Sequence, residues 1–183
     1  MNRHINNGLH GTKTEQNLRT AAQNEAMGFT KYMLYSGLAS DEANEDMARM
    51  FSEYASNEKE HAELWLGYLD ELGGVEDNLN NAIYGEEFEA TEFYPNAARI
   101  AAEEGFDELA DKFRMAANIE KRHADSYRTA ADDLASGRMY TGNADTQWVG
   151  LNCGYTTRGN MPPSQCPFCS YPKGYFKKAN CFE

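Results

Sequence analysis

The stretch Tyr54-Ala55-Ser56-Asn57-Glu58-Lys59-Glu60-His61-Ala62-Glu63-Leu64-Trp65 decides the fold. Glu58 and His61 stand three apart within an apolar series, Met47, Met50, Phe51, Tyr54, Trp65, Tyr68, Leu69 and Leu72, that recurs at steps of three and four. Such steps mark the buried seam of an amphipathic helix, and residues three apart share one of its faces. Working outward, Glu120-Lys121-Arg122-His123 lies in a like seam of Leu109, Phe113, Ala116, Tyr127 and Leu134, and Glu25 in one of Leu18, Ala22, Phe29 and Tyr32. Glu89-Ala90-Thr91-Glu92 supplies a further acidic pair between them. For any one of these residues a solvated helix face is the simpler account, and 29 Asp and Glu produce some of these spacings by chance. Chance does not readily place one element in each of four consecutive segments, in phase with the apolar seam. Unpaired carboxylates are too costly to gather in a core without cations. The pattern therefore predicts a four-helix bundle whose Glu25, Glu58, His61, Glu89, Glu92, Glu120 and His123 hold two metal ions, with a position open for a small oxidant.

Helix limits follow from local signals. Thr12-Lys13-Thr14-Glu15 has capping-box spacing and opens a helix to about Ala39. A second runs from about Asn44 to Leu72, stopped by Gly73-Gly74, and a third from about Asn78 to Glu104, ended by Gly105. The fourth spans Asp107 to Ser136, before Gly137. Pro95 falls inside the third and predicts a kink or bulge beside the acidic pair, with the apolar phase shifting to Phe93, Ala97 and Ile100. In the up-down-down-up arrangement of dimetal bundles the second and third helices are parallel, so their link must travel the bundle's length. The residues from Gly73 to a helix start near position 80 reach about 25 Å. The required span is larger, because Gly73 lies about 22 Å beyond Glu58 and position 80 about 13 Å from Glu89. A homodimer that exchanges helix pairs satisfies the short link; an up-down topology is the alternative.

The chain of 183 residues suits one sizeable domain and a small appendage. A net charge of −12 disfavours nucleic acid and anionic membranes as partners. No apolar run approaches the roughly 20 residues that span a bilayer. Met1 to Gly11 lacks the features of a signal peptide and reads as a disordered lead-in. The expected location is the cytoplasm, where four cysteines favour metal ligation over disulfides.

The expected domains are a bundle over residues 12–137, a linker over 138–147 and a second domain over 148–183. Composition changes after Gly137: the region from Trp148 onward holds all four cysteines and no helical period. There, Trp148-Val149-Gly150-Leu151-Asn152-Cys153-Gly154-Tyr155 and Cys166-Pro167-Phe168-Cys169 look like the two metal-binding knuckles of a rubredoxin. Together with the helical ligand set, the chain from about Thr12 to Phe176 resembles the rubrerythrin family. That resemblance implies a mainly α fold, a ferritin-like four-helix bundle followed by a small rubredoxin-like domain.

The family resemblance also implies two non-haem iron ions in the bundle and reduction of hydrogen peroxide to water, as a peroxidase of oxidative-stress defence. Electrons would come from a reduced-pyridine-nucleotide oxidoreductase or a rubredoxin. Glu92 matches the additional carboxylate of rubrerythrin-like sites, and His61 the histidine with which it alternates. Tyr32 and Tyr94 match family tyrosines near the site, where a phenol can donate a hydrogen bond to peroxide; core packing is the alternative role. The small domain departs from its pattern at Gly150, where the knuckle's leading cysteine is expected. Cys153, Cys166 and Cys169 remain, and Cys181 is a candidate fourth ligand for one iron or zinc, the alternatives being a water or no metal at all. With Gly150 in place, direct electron entry at the bundle is an alternative route. A ferroxidase or iron-handling bundle and a non-catalytic metal-binding protein are the competing functional readings.

Overall fold

The computed structural model describes residues 8–179, so the expectations resting on Met1 to Asn7 and on Cys181 lie outside the described residues. The chain divides into two compact units between Asp77 and Asn78. The first is an antiparallel helix pair, α1 (Lys13–Asp41) and α2 (Glu45–Tyr68). The Thr12 hydroxyl accepts the Glu15 N–H at 3.1 Å, and the Glu15 carboxylate reaches back to the Gly11 N–H at 2.7 Å. The start expected from Thr12 and Glu15 is thus observed. Ala43, at φ 58°, reverses the chain between α1 and α2.

The expected stop of α2 at Gly73-Gly74 is corrected. The helix ends at Tyr68, and Asp70 rather than a glycine takes the left-handed conformation, at φ 60°. Residues 69–74 form the link to the next helix, and the Gly74 N–H donates to Asp77 Oδ2 at 3.1 Å.

The second unit takes in the helices α3 (Val75–Phe88), α4 (Tyr94–Glu103) and α5 (Asp107–Ala135), α3 crossing the division near its start. Between α3 and α4 lies one π-helical turn, Glu89–Phe93, closed by the Tyr94 N–H on Glu89 O. Pro95 has no N–H to give the preceding turn, so one extra residue is taken up just before it. The expected bulge is present, but of the expected phase only Ala97 is half-buried. Ala98 and Ala101 are buried and Tyr94 is half-buried, whereas Phe93 and Ile100 are exposed.

The buried helical residues are all small: Ala22 on α1, Ala48, Ala55 and Ala62 on α2, Ala98 and Ala101 on α4, Ala110 and Ala124 on α5. Alanines let two helix backbones approach closely, and a two-helix layer covers only the line between its helices. Of the larger seam residues expected to be buried, none is fully so: Leu18, Tyr32, Met50, Phe51, Trp65 and Phe113 are half-buried. Met47, Tyr54, Leu109 and Tyr127 are exposed, and Leu34 and Leu38 are exposed at 63% and 60%.

After α5, Gly137 at φ 69° closes the helix and a 3-10 turn, Arg138–Tyr140, follows. Three short strands, β1 (Gln147–Gly150), β2 (Thr156–Arg158) and β3 (Phe176–Lys178), form an antiparallel sheet in the order β2-β1-β3. Trp148, Cys166 and Phe176 are its core, with Tyr140, Cys153, Tyr155 and Cys169 packed around them. The fully buried Trp148 indole donates to Gly159 O at 2.8 Å. Tyr140, expected in a linker, is thus part of this small core.

Candidate metal centre

Each unit gathers one carboxylate, one carboxylate and one imidazole. In the first, α1 brings Glu25 and α2 brings Glu58 and His61, one turn apart on the same face. His61 Nδ1 lies 3.2 Å from Glu58 Oε2 and 3.6 Å from Glu25 Oε2. Gly28, one turn along from Glu25, keeps the α1 backbone bare where Glu58 crosses it: a Cβ there would stand 3.4 Å from Glu58 Cγ. A hydrogen bond with Glu25, then the one with His61, holds the Glu58 carboxyl below the usual range. The ligand atoms of the three residues all lie within 4.8 Å of one another, which suits coordination of one ion.

In the second unit the trio is Glu86, Glu120 and His123, again within 4.8 Å. His123 Nδ1 stands 2.8 Å from Glu120 Oε2 and 3.5 Å from Glu86 Oε2. Burial, only partly offset by the His123 charge, raises the Glu86 carboxyl above its ordinary value, and the neighbouring Glu120 adds to the rise. This places the acidic pair one turn earlier than the sequence reading did. Glu89 is half-buried in the π-helical turn, and Glu92 is exposed on that turn and joins neither trio. Glu86 is the residue that sequence reasoning missed. Its signal was present: Glu86 and Glu89 have the same three-residue spacing, in phase with half-buried Ile83 and Ala90. Glu89 and Glu92 share that three-residue spacing, so spacing alone does not choose between the two pairs.

Of the two tyrosines, Tyr94 is the one set among carboxylates. Burial first, then the charges of Glu89, Glu120 and Glu86, raise its phenol above the ordinary value, so it keeps its proton. Tyr32 packs instead with Tyr35 and Phe51, at ring separations of 6.3 and 6.4 Å.

The C-terminal cysteines form a third cluster. Cys153, Cys166 and Cys169 bring their sulfurs within 4.8 Å, with Cys153 Sγ and Cys166 Sγ 3.7 Å apart. The Tyr171 N–H at Cys169 is the leading cause that draws its thiol down to about 7. At Cys153 the Tyr155 N–H acts in the same direction, but Cys169, burial and Cys166 together leave that thiol raised.

These groups define the class first: a mainly helical chain with two Glu-Glu-His clusters of dimetal-carboxylate type, followed by a cysteine-knuckle domain. Residues 16–131 match the family described as Rubrerythrin, and residues 148–177 that described as Rubrerythrin, rubredoxin-like domain. The chain is 34% identical to a putative rubrerythrin of Methanocaldococcus jannaschii, over 90% of this chain and 92% of the relative. It is 32% identical to a rubrerythrin of Porphyromonas gingivalis, covering 94% and 93% of the two chains. A rubrerythrin of Nitratidesulfovibrio vulgaris is 33% identical, with 92% and 95% covered. The chain belongs to the rubrerythrin family, whose members are known as peroxide-reducing di-iron proteins with a ferritin-like helical domain.

Proposed function

We propose that this protein is a non-haem di-iron peroxidase that reduces hydrogen peroxide to water, working in the cytoplasm as a homodimer that exchanges helix pairs. The carrying observation is the pair of matching clusters, Glu25-Glu58-His61 in one unit and Glu86-Glu120-His123 in the other. Each supplies two carboxylates and one imidazole, a hard oxygen and nitrogen donor set that suits iron. In the dimer the first cluster of one copy faces the second cluster of its partner. The uncovered apolar faces of the helix pairs, with Leu34, Leu38, Leu109 and Met115 more than half exposed, are what such an exchange would bury.

When bound, iron would supply the two electrons that, with two protons, convert one peroxide to two waters. The chain's own groups do the rest. Glu25, Glu58, Glu86, Glu120, His61 and His123 are the proposed ligands, with Glu89 beside them in the π-helical turn. Tyr94 keeps its phenol proton among these carboxylates and would donate a hydrogen bond to the substrate. Rereduction is assigned to a rubredoxin or its reductase, delivering electrons at the helical domain.

The test is the rate at which anaerobically reduced, iron-loaded protein is reoxidised by one equivalent of hydrogen peroxide, against dissolved oxygen. Faster oxidation by peroxide is expected. A preference for oxygen, with uptake of many iron ions per chain, would replace this assignment with an iron-storing ferroxidase.

A further inference from the structure

The small domain is built from two knuckles with the same backbone pattern. In the second, the Cys166 N–H donates to Tyr171 O at 2.8 Å and the Ser170 N–H to Cys166 O at 2.9 Å. In the first, the Gly150 N–H donates to Tyr155 O at 2.8 Å and the Gly154 N–H to Gly150 O at 2.8 Å. Gly154 and Ser170 both take the left-handed conformation, at φ 73° and 63°. Gly150 therefore occupies in the first knuckle the place that Cys166 holds in the second, and Cys153 pairs with Cys169. Among the described residues, three corners of a four-thiolate site carry sulfur and the fourth carries none.

The backbone itself does not forbid a side chain at that corner. Gly150 lies in strand β1, outside the positive-φ region. The nearest atoms a Cβ there would meet are Tyr155 O at 3.5 Å, Cys153 Sγ at 3.6 Å and Phe176 Cε1 at 3.7 Å, all ordinary contacts. Among the described residues, the corner is thus a ligand position without a ligand atom. Cys153, Cys166 and Cys169 by themselves do not make the four-thiolate iron site of a rubredoxin.

We propose that Cys153, Cys166 and Cys169 form a three-thiolate metal site whose fourth coordination position is filled by a small exchangeable donor from solvent, a water or a soft anion. Zinc and iron(II) both take thiolates in tetrahedral array, and a tetrahedral ion with three protein ligands keeps one position open. Cys153 and Cys169 are half-buried, whereas Cys166 is buried. Such a site would hold its metal whether or not the helical domain reduces peroxide.

Cobalt(II) is the probe, because its thiolate charge-transfer absorption counts sulfur ligands and ignores the carboxylate clusters. The full-length protein, Gly150→Cys, Cys181→Ser and Cys153→Ser are loaded with cobalt(II) and titrated with azide. The native chain is expected to show about three quarters of the charge-transfer intensity of Gly150→Cys, as three thiolates stand to four. Azide should shift that band saturably in the native chain and in Cys181→Ser alike, and not in Gly150→Cys. Cys153→Ser fixes the blank. Intensity equal to Gly150→Cys that falls by about a quarter in Cys181→Ser would show the tail thiol filling the corner and overturn the proposal. Thiolate absorption no greater than the blank, or a native band indifferent to azide, would overturn it too. If Gly150→Cys does not fold, the azide titration of the native chain and Cys181→Ser still decides.

Discussion

Lengthening the link between α2 and α3 separates the two ways in which the clusters can be completed. α2 ends at Tyr68 and α3 begins at Val75, so the chain between them reaches about 25 Å at full extension. Glu58 lies about 15 Å back from the end of α2, and Glu86 about 16 Å on from the start of α3. In a ferritin-like bundle formed by one chain, α2 and α3 run parallel with these two glutamates level. The link would then descend about 31 Å while also crossing roughly 8–10 Å between helices. It falls short by several ångströms, even before the bend at Asp70 is counted. An insert of about twelve Gly and Ser residues between Gly73 and Gly74 adds about 40 Å of reach and removes the obstacle. The native chain should be a dimer with two bundle metal ions per chain, and the inserted chain should shift toward monomer with the same metal content. Light scattering after size exclusion, with metal analysis across the peak, reads both quantities. A native chain that is monomeric while holding two bundle ions would refute the reach calculation and the exchange it supports.

Three shorter predictions address the ligands and the helix start. Glu86→Ala should weaken metal retention against a chelator by at least about 10–100-fold, the loss typical of removing even an outer partner, whereas exposed Glu92→Ala should leave it unchanged. The opposite ranking would restore Glu92 to the site. Thr12→Ala should cost about 1 kcal/mol through loss of the α1 cap. The Arg19 hydrogen bond first, then the Gly11 N–H, holds the Glu15 carboxyl below its ordinary range. Its contribution is therefore complete above the ordinary carboxylate value and is lost as pH falls through the lowered folded value. Melting temperatures of the native chain and Glu15→Gln should differ at neutral pH and converge in acid; a gap that widens in acid would contradict this.

Some expectations failed where helical regularity failed. Steps of three and four assume a constant rotation per residue, and the π-helical turn at Glu89–Phe93 breaks that assumption just where the acidic pair was sought. Glu92 lies on that turn and joins neither cluster, whereas Glu86 stands with Glu120 and His123. The end of α2 was misplaced for a related reason. Asp70 adopted a conformation for which a glycine was expected, and the visible Gly73-Gly74 lay beyond the true end.

The order of the helical segments, the Glu58-x-x-His61 and Glu120-x-x-His123 pairs, Glu25, and the missing knuckle cysteine at Gly150 were all legible in the sequence, the expected third helix being α3 and α4 joined by the π-helical turn. Each depends on chemistry or periodicity within a few turns of chain, where spacing translates directly into a shared face. Only the tertiary structure decided which carboxylate joins Glu120 and His123, that alanines rather than large side chains line each helix pair, and that Gly150 and Cys166 occupy matching corners. Those outcomes turn on how close two backbones approach and on how a turn far along the chain is hydrogen-bonded, distances that no local pattern encodes.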